Sequence, residues 1–390
     1  MTSSQKMDRP SSSQRDSPDP SRPGRARGID IYGLFRAEIG IGQSARGSLR
    51  SLVAAGVPVT AQNTDHPRFL NSVQFPIDAP RSARFDTALI HLNPPELVRL
   101  AAELDLDNAD HLRRIGFWHW ELSVFPTAYL PAFAKVDEVW VPSSFVASAV
   151  QAATHLPVRV VPHPVAVDTI ATDTARHALG LPKDRFLFLT VFDKNSYMAR
   201  KNPIAVVRAF LDAFPADGPS CPRLIIKCHG NTQAPHFAEF MQMASDPRIT
   251  VIDKVFSSDE MSWLQSACDT FVSLHRSEGF GLNLLECMAR GKLCIATAYS
   301  GNLDFMTENN SVLVPFRMKP VGKEYIHGDG QWWADPVHDA SVAALRRAAT
   351  LGDVSQGQRA AMEVLSKYSL ACVGQIARAA WESGRTAPGS

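Results

Sequence analysis

Two glutamates flank a glycine-rich loop whose residue types suit the binding of phosphate and hydroxyl groups. Glu278 and Glu286 enclose residues 279–285, shortly after an apolar, strand-like run that ends at Leu274. A helical pattern starts near the second glycine of the loop, and the free N–H groups at a helix start bind phosphate. A carboxylate at the same edge can accept two hydrogen bonds from a sugar diol. The spacing alone also fits two surface glutamates on an amphipathic helix.

A second unusual cluster, Trp118-His119-Trp120-Glu121, follows a short apolar run at residues 115–118. At the carboxyl end of a strand, exposed aromatic rings would stack on a sugar, while the imidazole and the carboxylate would bind its hydroxyls. The competing interpretation is a set of buried aromatic side chains with a hydrogen-bonded histidine.

Strand-like and helical runs alternate along most of the chain, which predicts parallel sheets with crossover helices. The strand-like runs of the first half are residues 28–35, 57–61, 87–92, 115–118, 138–141 and 158–161. Those of the second half are residues 186–191, 223–227, 249–252, 271–274 and 293–296. We therefore expect two α/β domains, with the ligand site in the cleft between them.

The two glutamates, separated by seven residues around Gly-Phe-Gly, resemble the E-x7-E motif of retaining glycosyltransferases with the GT-B fold, glycosyltransferase family 4. The flanking segments at residues 273–277, 285–289 and 298–302 agree with this resemblance. The resemblance covers residues 28–380 and is strongest from 186 to 316. It implies two Rossmann-like α/β domains whose parallel sheets face each other across a cleft.

The resemblance also implies roles for the residues of the motif. The first glutamate of the family motif contacts the donor sugar near its leaving centre, which corresponds to Glu278. The second binds the ribose of the donor, which corresponds to Glu286. The donor would also meet the loop amides, which in this sequence belong to Gly279, Phe280, Gly281 and Leu282.

A basic pair in the second half resembles the cations that the family places before a helix. Arg200 and Lys201 precede Asn202-Pro203. Cleavage of the bond between an anomeric carbon and a diphosphate builds negative charge on the diphosphate, and fixed cations stabilise that charge. The spacing from the preceding strand is looser than in the common family pattern. Which of Arg200, Lys201 and Lys194 contacts the diphosphate therefore stays open.

The first half would supply the acceptor side of the cleft. Gly40, Gly42 and Arg46 resemble the glycine-rich loop that follows the first strand in the family, and Arg46 could face a phosphate. Related families carry a histidine near the reacting centre, and we assign that role to His119. Glu121 is the neighbouring candidate for the acceptor.

The predicted domain boundaries follow from composition and from the resemblance. Residues 1–27 contain almost no apolar side chains, and we expect a disordered tail. Residues 28–165 form the predicted N-terminal acceptor domain, and residues 166–360 form the nucleotide-sugar domain. Residues 361–390 form a predicted C-terminal helix that packs back on the first domain. Trp332-Trp333-Ala334-Asp335-Pro336 is predicted to be a turn that leads into a helix.

Composition excludes several classes of protein. The 390 residues include 40 Lys and Arg against 39 Asp and Glu, so the chain lacks the overall charge of a nucleic-acid-binding protein. No apolar run reaches the roughly 18 residues of a membrane span. The six cysteines form no CxxC pair, which favours a reduced, cytoplasmic setting. Asp105 and Asp107 spell the metal-binding DxD of another glycosyltransferase fold, but they lie in a helical stretch, so we expect no metal.

Two other functions remain open on the sequence. Gly40, Gly42 and Ala45 fit a dinucleotide fingerprint with Asp65 downstream, which is typical of an NAD-dependent Rossmann enzyme. The strand-to-turn connection at residues 36–39 is too long for that fingerprint. A non-catalytic sugar-nucleotide-binding protein is the second alternative, because fold does not determine function.

The expected function is therefore a retaining, metal-independent hexosyltransferase that uses a nucleoside diphosphate sugar and needs no cofactor. The acceptor would be a glycan or a lipid-linked sugar in polysaccharide or glycoconjugate assembly. The protein would be cytoplasmic, with peripheral contact to the inner face of a membrane as an additional expectation. The nucleotide base, the sugar, the linkage and the oligomeric state stay open.

Overall fold

The computed structural model describes most of the chain. The described residues are 25–64, 71, 73–76, 85–104, 112–168, 170–216, 218, 220–351 and 354–384. Residues 1–24 of the predicted tail, together with Asp65, Asp105 and Asp107, lie outside this range. Ala26 and Arg27, which the prediction placed in the tail, belong instead to the first strand. The guanidinium of Arg27 lies 5.2 Å from the Trp381 ring, a distant partner that local composition does not reveal.

The first domain is a parallel six-stranded sheet with helices. Its strands are β1 (Ala26–Gly33), β2 (Val59–Asn63), β3 (Phe85–His91), β4 (Arg113–Phe117), β5 (Glu138–Val141) and β6 (Val158–Val160). Its helices are α1 (Gly40–Ala54), α2 (Pro94–Leu100) and α3 (Ser144–Gln151). The strand order is β2-β1-β3-β4-β5-β6. Buried Val, Ile and Leu on both faces explain the near-continuous apolar runs of these strands.

The second domain repeats this plan. Its strands are β7 (Leu187–Asp193), β8 (Arg223–His229), β9 (Ile249–Asp253), β10 (Thr270–Ser273), β11 (Leu293–Thr297) and β12 (Val312–Val314), in the order β12-β11-β10-β7-β8-β9. Its helices are α4 (Thr172–Ala178), α5 (Met198–Lys201), α6 (Pro203–Ala213), α7 (Phe237–Met243), α8 (Ser258–Ala267) and α9 (Leu282–Ala289). The predicted class of two α/β domains with parallel sheets is confirmed.

An antiparallel hairpin follows the second sheet and corrects one prediction. Trp332–Pro336 is strand β14, which pairs with β13 (Phe316–Pro320), rather than a turn. The prediction was wrong because the Trp-Trp-Ala-Asp-Pro segment carries a proline and no alternation, while its strand conformation comes from a partner that lies earlier in the chain. The hairpin leads into α10 (His338–Leu351).

Two further helices follow α10. The predicted helical stretch at the C-terminus divides into α11 (Val354–Tyr368) and α12 (Leu370–Ser383), because the Ser369 hydroxyl caps the second helix at the N–H of Cys372. Helix α12 packs on α1 of the first domain, where a side chain at Gly374 would collide with the Ser51 carbonyl. Among the described residues, no helix is both long and apolar enough to cross a membrane.

Trp381 joins α12 to the first sheet. Its side chain is 3% exposed, and its indole N–H donates to the Thr87 hydroxyl at 3.0 Å. We expect Trp381→Ala to lower the free energy of unfolding by about 3–5 kcal/mol, because the change leaves a large cavity. The measurement is urea unfolding, with Ile376→Ala as control on the same helix, where the side chain is 40% exposed. Equal losses for both variants would contradict this role.

Candidate active site

The strand order of the second sheet reverses between β7 and β10. Strands β7 and β10 are neighbours, but their onward connections lead to β8 on one side and to β11 on the other. Such a switch point opens a crevice at the carboxyl ends of the strands, where α/β proteins bind ligands. Arg200 and Lys201 lie beyond β7, and Glu278 lies beyond β10. The topology therefore brings the predicted cations and the first glutamate to one crevice.

Glu278 forms ion pairs with both cations. The Lys201 Nζ lies 2.6 Å from the Glu278 Oε1, and the Arg200 Nη1 lies 3.2 Å from the Glu278 Oε2. The Arg200 Nη1 also donates to the Ser277 carbonyl at 2.9 Å. The Glu278 side chain and the Arg200 side chain are buried, so the pairing offsets the cost of removing their charges from water.

The ionisation of the cluster follows from burial and from these contacts. Burial alone would raise the pKa of Glu278, but Lys201 and Arg200 outweigh it and lower the pKa to about 2. Burial lowers the pKa of Lys201, and Glu278 partly opposes that shift. Burial by itself would lower the pKa of Arg200, but Glu278 and Glu121 outweigh burial and raise this pKa above its ordinary value. Glu278 is therefore a carboxylate held between cations.

A short helix with unusual ends positions the two cations. Helix α5 is only four residues long, and it is bounded by Tyr197 at φ 61° and Asn202 at φ 53°. Asparagine adopts this left-handed conformation more readily than most residues. The Asn202 side-chain amide donates to the Leu274 carbonyl at 2.9 Å, which ties the helix to the end of β10. Pro203 then begins α6, where a missing N–H costs nothing.

Lys194 lies apart from the cluster. Its Nζ is 2.8 Å from both carboxylate oxygens of Asp253, and it lies 4.3 Å from the centre of the Phe237 ring. Of the three cations that the sequence left open, the structure therefore places Arg200 and Lys201 beside Glu278.

Glu286 lies on α9 and links the two domains. Its Oε1 accepts a hydrogen bond at 2.5 Å from the Gln43 amide of α1, and its Oε2 accepts one at 2.6 Å from the Gln265 amide. Burial raises the pKa of Glu286, although these amides and Arg290 oppose the shift. Both oxygens thus accept neutral donors, which is the arrangement that two ribose hydroxyls would use.

The glycine loop lies against the first domain. Gly281 is the N-cap of α9 at φ 97°, a conformation that favours glycine. A Cβ at Gly279 would lie 2.9 Å from the Trp120 carbonyl, so a larger residue would separate the domains there. The Ser143 hydroxyl donates to the Gly279 carbonyl at 2.5 Å. The Phe280 ring is buried in the core, and Leu282 is partly buried as the first residue of α9.

His119 of the first domain lies beside a second histidine, which contacts the second domain. Its Nε2 is 3.2 Å from the Nε2 of His163, and its main-chain N–H donates to the Asn93 side chain at 2.9 Å. Burial lowers the pKa of His119 to about 4, although Glu121 opposes the shift, so the ring is neutral near pH 7. His163 touches the Phe280 ring edge-on, with ring centres 5.0 Å apart. This pair is therefore next to the glycine loop.

The tryptophans of the same cluster are not exposed, which corrects the predicted stacking surface. Trp118 is 0% exposed and Trp120 is 3% exposed. Trp118 stacks on Phe125 with ring centres 5.9 Å apart, and Trp120 meets Tyr129 at 5.6 Å. The prediction was wrong because these aromatic partners come from residues 125–133, which fold over the strand end. The buried-packing alternative is the observed one for both rings.

Glu121 contacts the second domain through two atoms. Its Oε2 accepts a hydrogen bond from the Tyr325 hydroxyl at 2.6 Å, and its carbonyl accepts one from the Ser277 hydroxyl. Ser277 directly precedes Glu278. The predicted acceptor residue is therefore beside the cation cluster.

Residues of α1 stabilise the loop that precedes this helix. The Arg46 Nη1 donates to the carbonyls of Phe35 at 2.7 Å and Ala37 at 3.0 Å, and burial lowers the pKa of Arg46. A Cβ at Gly42 would lie 2.6 Å from the carbonyls of Leu34 and Ala37, whereas Gly40 faces open space. Arg46 and Gly42 thus stabilise the loop, and a phosphate contact by Arg46 stays a prediction.

Several neighbours of these residues escaped the sequence analysis. They are Gln43, Gln265, His163 and Tyr325. His163 follows the run at residues 158–161, so the rule that ligands gather at carboxyl ends of strands could have identified it. The other three carry no local signal, because their roles come from contacts between distant segments. Within the described ranges, no group of three or more His, Cys, Asp or Glu residues is placed to hold a metal ion.

Comparison with known structures identifies the fold. The structure of sucrose-phosphate synthase from Thermosynechococcus elongatus is similar, with a TM-score of 0.66 and 16% identity over 93% of this chain and 100% of that chain. Anabaena Alr3699/HepE, solved with UDP and glucose, has a TM-score of 0.65 and 12% identity over 92% and 100%. WaaG, a glycosyltransferase involved in lipopolysaccharide biosynthesis, has a TM-score of 0.59 and 15% identity over 90% and 98%.

The fold is therefore that of the GT-B glycosyltransferases, with its crevice between two Rossmann-like domains. Within it, residues 196–320 match the family model described as glycosyl transferases group 1. This segment contains the basic pair and both glutamates of the site. A search of curated proteins finds no match.

The depressed pKa of Glu278 makes stability depend on pH. A carboxylate whose pKa falls from 4.5 to about 2 on folding contributes its full stabilisation above pH 4.5. That contribution disappears as the pH falls through about 2. We expect Glu278→Gln to be destabilising at about pH 6 and progressively less so as the pH falls below about 4. Urea unfolding over this pH range measures the difference, with Glu308→Gln as an exposed control. A difference that does not change with pH would contradict the ion-pair assignment.

Proposed function

We propose that this protein is a retaining glycosyltransferase that moves a hexose from a nucleoside diphosphate sugar to a hydroxyl acceptor. The observation that carries the proposal is the largely buried Arg200–Lys201–Glu278 cluster at the switch point of the second sheet. The match of residues 196–320 to glycosyl transferases group 1 supports it.

The cluster suits the departure of a diphosphate. Charge builds on the diphosphate oxygens as the glycosidic bond breaks, and cations already in place stabilise that charge without reorganisation. Arg200 offers a planar fork that matches two phosphate oxygens, and Lys201 offers a compact ammonium. Glu278 keeps both cations in the crevice, and in the proposed complex it also contacts the donor sugar. This mechanism needs no metal ion and no cofactor.

Retention of configuration follows if the acceptor attacks from the face that the diphosphate leaves. A leaving diphosphate oxygen would accept the proton of the incoming hydroxyl on that face. The enzyme then needs no pair of carboxylates at glycosidase spacing. His119 would bind a hydroxyl of the donor sugar as a neutral imidazole, and Glu121 would meet the acceptor.

The donor and the cellular setting extend this proposal. Glu286 would bind the ribose, and the loop from Gly279 to Leu282 would supply amides to the diphosphate. UDP is the first nucleotide to test, because the similar Anabaena structure was solved in complex with UDP and glucose. The proposal also includes a glycan or lipid-linked acceptor, a cytoplasmic location and peripheral contact with a membrane.

The NAD-dependent alternative has weaker support. Its fingerprint requires a glycine turn directly after β1, whereas residues 34–39 separate Gly33 from Gly40. The buried Gly42 packs against carbonyls of that loop. A dinucleotide would occupy the first domain, so nucleotide preference separates this alternative from the proposal. Sugar transfer from any donor would exclude the alternative of a non-catalytic binding protein.

A thermal-shift experiment with UDP, GDP, ADP and NAD tests donor binding. A ligand at about 100 times its Kd stabilises the fold by roughly 2.7 kcal/mol. We expect one nucleoside diphosphate to raise Tm and Glu286→Ala to abolish most of that shift, because the ribose loses its acceptor. Glu308→Ala, at an exposed glutamate of the same domain, is the control. Stabilisation by NAD alone would overturn the proposal.

Turnover measurements test the cations. Lys201→Ala is expected to lower kcat by about 10²–10³-fold while donor binding changes less, because the lost charge acts mainly on the departing diphosphate. Lys194→Ala is the matched control, since Lys194 pairs with Asp253. That variant is expected to lose stability and to keep the kcat of its folded fraction. Unchanged kcat in the Lys201 variant would remove Lys201 from the mechanism.

A further inference from the structure

The hairpin at residues 316–336, here called the arm, is fixed to the second domain at its base. Arg276 donates from Nε to the Asp335 carboxylate at 3.0 Å, and its guanidinium lies 5.5 Å from the centre of the Trp333 ring. Its Nη1 donates to the Ala199 carbonyl at 2.8 Å. Ala199 directly precedes Arg200 in α5, so the base of the arm and the basic pair share one support.

The connection of the arm reaches into the first domain. Val321 and Tyr325 are buried in the same apolar cluster as Trp118 and Trp120 of that domain. The N–H of Val124 donates to the Gln331 side chain at 3.1 Å. The arm therefore connects the core of one domain to the cation-bearing helix of the other.

Tyr325 lies where the arm meets the candidate active site. Its hydroxyl donates to the Glu121 Oε2 at 2.6 Å, and the Arg200 guanidinium lies 6.0 Å from the centre of its ring. Burial raises the pKa of Tyr325 well above its ordinary value, and Glu121 adds to the shift. The phenol is therefore a constant hydrogen-bond donor at neutral pH.

The carboxylate that Tyr325 holds also acts on the basic pair. Glu121 is close enough to raise the pKa of both Arg200 and Lys201. The Ser277 hydroxyl donates to the Glu121 carbonyl, and the Ser277 carbonyl accepts a hydrogen bond from Arg200, so Glu121 is a second carboxylate next to the basic pair. A carboxylate with a neutral donor on one oxygen competes less for a neighbouring guanidinium than one without such a donor.

We propose that Tyr325 is a positioning residue: its hydroxyl holds the Glu121 carboxylate away from Arg200, so that docking of the arm keeps the guanidinium on Glu278. The catalytic part of this inference rests on the proposed function of Arg200. Without the hydroxyl, the half-buried Glu121 carboxylate loses that donor, and the cations that already feel its charge are Arg200 and Lys201. An Arg200–Glu121 pair would withdraw the cation from the departing diphosphate.

The kinetic test compares Tyr325→Phe with Tyr368→Phe. The control removes a hydroxyl that donates to the Asp304 carbonyl at 2.9 Å, away from the basic pair. We expect Tyr325→Phe to lower kcat about tenfold with the donor KM within about twofold, and Tyr368→Phe to leave both unchanged. Glu121→Gln removes the competing charge, so the Tyr325→Phe/Glu121→Gln double variant should have the kcat of Glu121→Gln alone. Equal kcat for the wild type and Tyr325→Phe, or multiplied losses in the double variant, would overturn the proposal.

A spectroscopic test separates this inference from the proposed function. The side-chain Nε–H signal of Arg200, assigned by its loss in Arg200→Lys, reports the setting of the guanidinium in ¹⁵N-labelled protein without any turnover. We expect the signal to shift in Tyr325→Phe and to return toward its Glu121→Gln position in the double variant. An unshifted signal in folded Tyr325→Phe would overturn the positioning role, even if the wild type transfers sugar. A shifted and restored signal in a protein without transferase activity would support that role and refute the proposed function.

Discussion

The burial of Glu278 between two cations is the constraint around which the candidate site is organised. Three largely buried charges are stable together and costly apart, because each removed partner would leave an uncompensated charge. Specific backbone conformations and hydrogen bonds hold these residues in position. Helix α5 ends at Asn202, which has a left-handed conformation and whose side-chain amide donates a hydrogen bond to the end of β10. The Ser277 carbonyl accepts a hydrogen bond from the Arg200 guanidinium.

The contacts between the domains converge on the same crevice. Hydrogen bonds join Gln43 to Glu286 and Ser143 to Gly279. Glu121 accepts hydrogen bonds from Tyr325 and Ser277. Most of these contacts are hydrogen bonds by short polar side chains to a carboxylate or to a main-chain carbonyl. Such bonds contribute little individually and exchange readily for bonds to ligand hydroxyls. The geometry of the site therefore depends on how the domains meet, and the arm adds an apolar connection that the polar contacts lack.

Sequence reasoning succeeded where the signal was local. The strands of both sheets except β12, and the helix after the glycine loop, have the apolar patterns that predicted them. Strand β12 was not predicted. Sequence reasoning failed where a residue's structure depends on contacts with residues that are distant in the chain. β14 is a strand because β13 pairs with it, and Trp118 and Trp120 are buried because residues 125–133 cover them. Gln43 and Tyr325 enter the site through contacts across the domain boundary, which no periodicity encodes.

The sequence by itself determined most of the succession of strands and helices and the order of the chemically active residues along the chain. These follow from apolar spacing, from glycine and proline, and from motif distances, all of which act between neighbours. Only the tertiary structure decided which cations face Glu278 and which partners hold Glu286, Glu121 and Arg46. Lys194 and Lys201 are alike as residues, but the direction in which the chain leaves β7 carries one to Asp253 and the other to Glu278. The physical reason is that charge pairing in a buried crevice depends on positions in space, which the packing of two sheets sets.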